Sequence, residues 1–136
     1  MSFISAIASA LVFAGAPPAS IDGDWVTADR HAIVRIAPCG GNLCGTIVRV
    51  LVHGPNVPTT DIKNPDRRLR SRPLIGLKVL TGFSRDGNIW SGGRAYDPNT
   101  GGSYKAKLSR NADGSLTVTG CILFICKSQV WMWIRT

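Results

Sequence analysis

A chain of 136 residues with 44% apolar and 18% charged positions has the size and composition for one domain with one core, and is not that of a disordered protein. Sixteen Lys and Arg stand against 8 acids, all of them Asp, for a net charge of +8. The absence of Glu and the scarcity of Lys and of Ala beyond the N-terminus argue against a helical fold, whereas 15 Gly, four Trp and many Thr, Val and Ile favour strands and turns.

Residues 1–19 stand apart. Phe3 to Ala16 is uncharged, small-residue and apolar, and too short to span a bilayer, as in a signal peptide. Its start lacks Lys and Arg, and Pro17 follows the Ala14-Gly15-Ala16 cleavage site, so cleavage is expected there or near Ala19. The competing reading is a cytosolic protein with an apolar N-terminal strand. Four cysteines in a small chain favour export to the periplasm or beyond, where disulfides form. Zinc suits them poorly, because the gap Ile122-Leu123-Phe124-Ile125 is unlike a knuckle.

Residues 20–136 are expected to form one domain. Strands are predicted over 23–27, 31–38 and 43–52. A long polar segment, 53–73, follows, with at most one short helical turn begun by Asn64-Pro65-Asp66. Further strands are predicted over 74–83, 88–96, 103–110, 115–121 and 126–135, separated by Gly, Asn, Asp and Pro turns. Alternation is clearest where Tyr104, Ala106 and Leu108 oppose Lys105 and Lys107, and where Leu116 and Val118 oppose Thr117 and Thr119. Links this short leave no room for crossover helices, so neighbours pair antiparallel. The expected fold is an all-β, eight-stranded antiparallel up-and-down barrel, with a two-sheet sandwich as the alternative. One end then carries only short turns. The other carries 53–73, the 97–102 loop and the 122–125 tip, and elaborate loops over a mouth are where binding resides.

Gly23-Asp24-Trp25 resembles the first-strand Gly-x-Trp of lipocalins. That resemblance implies closed-end packing of Trp25 beneath a cation, for which Arg135 is the candidate. Over nearly all of residues 20–136 the chain also resembles the bacterial family called domain of unknown function 2147. The carriers are Gly23-x-Trp25, Leu43-Cys44-Gly45, Asp61-x-x-Asn64-Pro65-Asp66, Arg72-Pro73-Leu74-Ile75-Gly76-Leu77, Gly92-Gly93-x-x-Tyr96-Asp97-Pro98-x-x-Gly101-x-x-Tyr104 and Cys126-x-Ser128-Gln129. The resemblance implies a secreted, lipocalin-like barrel and supplies no reaction.

The residues expected to contact a ligand are Trp90, Arg94, Tyr96 and Tyr104, pointing inward, with Arg70 and Arg72 gripping an anionic head. The other reading of Arg94 is solvent exposure, and that of the Asp61–Arg72 segment is a loop pinned by its own Asp–Arg pairs. Asp61, Asn64, Asp66, Asp97 and Phe124 are expected in the mouth loops, the first three as turn and cap residues. The tip around Phe124 reads as a lid, a membrane or partner contact, or a continued strand. No metal, cofactor or catalytic motif is present, and His31 and His53 lack evident partners. The function expected is non-enzymatic binding of a small apolar or amphipathic ligand in the barrel, with an anionic envelope lipid as the electrostatic partner and no role for nucleic acid. The alternatives are a filled barrel acting as an envelope interaction module, and an enzyme using Asp61, Asp66 and Asp97.

Given this strand order, Cys39 and Cys44 flank a closed-end turn, and Cys121 and Cys126 flank a mouth loop. Cross-links between the two pairs would have to run the length of the barrel. The pairing expected is therefore Cys39–Cys44 and Cys121–Cys126.

Overall fold

The computed structural model describes residues 20–135. The signal-peptide reading of 1–19 lies outside them. The strands are β1 (Gly23–Val26), β2 (Ala32–Cys39), β3 (Asn42–Val50), β4 (Lys78–Asp86), β5 (Ile89–Asp97), β6 (Gly102–Arg110), β7 (Leu116–Ile122) and β8 (Ile125–Ile134). They pair in chain order as a closed antiparallel barrel, with β1 returning to β8. A single 3-10 turn, Arg67–Leu69, interrupts the long connection, and Asp66 caps it by accepting the Arg68 N–H at 3.0 Å.

The β4 strand starts later than its sequence predicts. Leu74 to Leu77 form a turn in which Gly76 has φ +90° and donates to the Ile47 carbonyl. Leu77 nonetheless reaches the core, because the Ile47 N–H is bound to its carbonyl at 2.9 Å.

Inward residues of all eight strands join one cluster, including Val34, Ile36, Ile47, Leu80, Phe83, Trp90, Leu108, Val118 and Trp131. The interior is packed where the large rings lie. A Cβ on Gly93 would fall 2.6 Å from the Phe83 ring, and one on Gly45 would fall 2.9 Å from both Leu80 and Val34. Those glycines make room for neighbouring side chains.

At the closed end Trp25 is fully buried, and its indole N–H donates to the Ile21 carbonyl at 2.9 Å. The cation over Trp25 is Arg110, from the end of β6, at 5.7 Å from the ring centroid. Arg110 also stacks on Trp133 and donates to the Ser20 carbonyl. Arg135, the residue expected in that place, lies over Trp133 instead, at 5.5 Å. The last strand carries Arg135 past Trp25, whereas β6 ends facing it.

Both disulfides are those expected. Cys39–Cys44 staples the β2–β3 turn with Cα atoms 5.6 Å apart, and Cys121–Cys126 staples the β7–β8 hairpin at 4.1 Å.

Candidate functional site

The mouth is built from two connections that clasp each other. Asp61, in the β3–β4 connection, is wholly buried. Its Oδ1 accepts the Tyr96 hydroxyl at 2.5 Å, and its Oδ2 accepts Asn64 Nδ2 at 2.8 Å and Arg72 Nε at 3.0 Å. Arg72 Nη2 adds an ion pair at 2.9 Å, and the guanidinium lies 5.9 Å from the Tyr96 ring centroid. A few residues on, Gly101 has φ +78°, and a Cβ there would sit 2.1 Å from the Lys63 carbonyl oxygen. Only glycine allows both that conformation and that approach.

Burial pushes the Asp61 carboxyl upward. The donors Tyr96, Asn64 and Arg72, together with the Arg72 charge, outweigh it and hold the group below its ordinary range. Burial raises the Tyr96 phenol, and the hydrogen bond to Asp61 and the Asp61 charge add to that, so it is pushed up to about 12. At neutral pH the pair is therefore a neutral phenol donating to a carboxylate. A further hydrogen bond closes the ring of loops: Asn99, between β5 and β6, donates to Asp29, between β1 and β2, at 3.0 Å.

Of the residues expected to meet a ligand, Tyr96 and Arg72 come together, on Asp61. Arg70 is engaged by the Asn64 carbonyl at 2.7 Å. Arg94 faces solvent, not the interior. A bulge between Trp90 and Gly93, with Gly92 at φ +74°, shifts the alternation of β5, so that Trp90, Gly93 and Ala95 point inward. Trp90 is core, packed beneath the Arg85 guanidinium at 5.3 Å. Tyr104 is inward and half-buried, its Cβ 3.2 Å from the position a Cβ would take on Gly120. Asp66 caps the 3-10 turn and pairs with Arg68 at 3.0 Å. Asp97 accepts the Asn99 N–H at 2.9 Å. Phe124 stands free at the hairpin tip, 99% exposed.

Beyond the β5 bulge and the burial of Asp61, sequence reasoning missed two features. One is Arg110 over Trp25, which nothing in the local sequence signals. The other is the seam between β1 and β8. On β8, strand β1 pairs only with Met132, Trp133 and Ile134, so β8 has no strand on its second edge from Ile125 to Trp131 among the described residues. Lys127 and Gln129, inward by register, are exposed there. Two open clefts, of about 690 and 550 Å³, lie at the closed end. Ser20, Leu43, Phe83 and Trp90 are among the residues lining the first.

An eight-stranded antiparallel barrel closed over a buried Trp25, with clasped mouth loops, has a lipocalin-like fold. It superposes on a solved structure described as "Protein HP1028 from the human pathogen Helicobacter pylori belongs to the lipocalin family", with a TM-score of 0.73 at 19% identity, covering 85% of this chain and 84% of that one. At that identity the likeness establishes the fold. Residues 23–132 match the family described as "Uncharacterized protein conserved in bacteria (DUF2147)", and the chain belongs to that family. No curated protein shows significant similarity to it.

Proposed function

We propose that this is an exported, non-enzymatic binding protein that works from the mouth end of a filled barrel. The observation that carries this reading is the Phe83 ring lying against Gly93, in one buried core with Trp25, Trp90 and Trp131. Rings packed that closely take up room an enclosed ligand would need at the closed end of the barrel. Export is supported by the two disulfides, which persist in oxidising compartments. The three loop carboxylates serve the loops themselves: Asp61 in the clasp, Asp66 as a cap and Asp97 in its own turn. That engagement argues against acid–base chemistry.

One observation favours a ligand partly inside. Exposed Lys127 and Gln129, inward by register on the unpaired edge of β8, share the inner face with half-buried Tyr104, and a cation there suits the anionic head of a small amphipathic molecule. Native mass spectrometry of protein purified from its own host separates the two readings. The apo mass is expected, with no uptake from a panel of fatty acids and lysophospholipids. A retained lipid-like mass would move the site into the barrel.

A further inference from the structure

We propose that the β7–β8 hairpin is a membrane-docking finger: its apolar tip enters the acyl region of a bilayer while cations at its base hold anionic headgroups. This rests on the reading that binding occurs outside the barrel, at the mouth end.

The tip carries the first argument. Ile122 pairs with Ile125, leaving Leu123-Phe124 as a two-residue turn directly beyond the Cys121–Cys126 staple. Leu123 is 90% and Phe124 99% exposed, and both flanking isoleucines are also exposed. Leu123 has φ +52°, while Phe124 is not among the residues with positive φ. Positive φ at the first central residue of a two-residue hairpin is where glycine belongs. A β-turn leucine there is strained, and at that exposure no contact within the chain offsets the strain. The tip sequence thus works against the turn it occupies, and its four apolar side chains need a surface outside the fold.

Charge says which surface. Register places Lys105 across from Cys121, Lys107 across from Thr119 and Arg94 across from Lys105 on the outer face of the wall, and Lys127, across from Gly120, on the inner face beside the open seam. All four are exposed, and none belongs to an ion pair among the described residues. Asp97, the carboxylate next along the β5–β6 ladder, is turned to the Asn99 N–H. An apolar point backed by unneutralised cations, on a chain of net charge +8, is complementary to an anionic bilayer. Strand addition by a protein fits less well. Lys127 sits on the free edge of β8, and lysine on an edge opposes pairing with a further strand.

The test uses the purified, oxidised protein and sedimentation with vesicles of phosphatidylethanolamine plus phosphatidylglycerol, and with phosphatidylcholine alone. Binding to the anionic vesicles is expected, weakening as salt rises. Leu123→Gly with Phe124→Ser should weaken it by about ten-fold or more. The same pair gives the turn its preferred glycine, so the melting temperature should hold or rise. Lys105→Gln with Lys127→Gln should weaken binding to anionic vesicles and flatten the salt dependence. Phe124→Trp should gain quenching by brominated lipid that the native tryptophans do not show. Absence of anionic-vesicle binding at low salt, or binding indifferent to the tip substitutions, would overturn the proposal. So would a dimer that the tip substitutions dissolve without any vesicle binding, which would assign the tip to a second copy. An apo mass together with failed vesicle binding removes the finger and leaves the mouth-end reading standing; a retained lipid with failed binding removes both.

Discussion

Asp61 is a carboxylate in a place where carboxylates are rare, and four donor atoms from Tyr96, Asn64 and Arg72 keep it charged there. The two family motifs that seemed separate in sequence, Asp61-x-x-Asn64 and Tyr96-Asp97-Pro98-x-x-Gly101, are the two halves of this clasp. Removing one donor leaves the rest of the network intact but the buried oxygen short of a partner. Tyr96→Phe should therefore cost about 1–3 kcal/mol, measured by urea denaturation at pH 7. The pH dependence has two edges. The Asp61 carboxyl is lowered on folding, so its stabilisation is complete above the ordinary value of 3.8 and is lost as pH falls below it. The Tyr96 phenol is raised, so its contribution is complete below 10.0 and is lost as pH rises through about 12. Ultraviolet titration should show a phenolate appearing near 12 in the native protein, and that late step should be missing in Tyr96→Phe. A native protein without the late step would refute the clasp.

At the scale of elements, β5 shows how far the sequence reaches and where it stops. Eight strands, their order and the long connection were legible because alternation and Gly, Asn and Asp turns are local signals; β6 and β7 lie within one residue of their expected bounds, with Ala106, Leu108, Leu116 and Val118 buried as the alternation implies. The bulge at Gly92 was not legible. It inserts a half-step that turns Arg94 out and Ala95 in, and only the pairing with β6 reveals it. Burial of Asp61 was hidden for a related reason: its phenol partner is 35 residues away. Arg110 over Trp25 likewise depends on barrel closure, which brings the end of β6 beneath β1. Gly93 in β5 leaves the room that the Phe83 ring occupies. Gly93→Ala should then destabilise by about 1–3 kcal/mol through overpacking. Adding Phe83→Leu should recover part of that loss, since the two positions touch and their effects should not add. Strict additivity in the double-mutant cycle would mean that the ring does not occupy that room.

The whole molecule is a ring closed mainly at one end. Strand β1 pairs with the last turnward residues of β8 and no further, so the barrel is sealed around Trp25 while the β7–β8 hairpin rises beside an open seam. The two disulfides fall on opposite sides of this division. Each spans five positions in sequence, and a loop that short corresponds to about 2 kcal/mol of lost chain entropy in the unfolded state. Equal loops need not give equal effects, because the folded surroundings differ. Cys44 is buried in the wall, next to Gly45, where Val34 and Leu80 crowd the backbone. Residues from Ile122 to Val130 are all exposed, so the second staple holds an arm with little packing of its own. Replacing Cys39 and Cys44 by Ser should lower global stability by about 2 kcal/mol. Replacing Cys121 and Cys126 by Ser should leave the denaturation midpoint nearly unchanged and instead speed amide exchange from Ile122 to Ser128, as local opening does. Equal loss of global stability from the two pairs would mean that the finger and the barrel unfold as one unit. In that case the second disulfide would brace the core rather than hold a projecting hairpin in shape for a surface outside it.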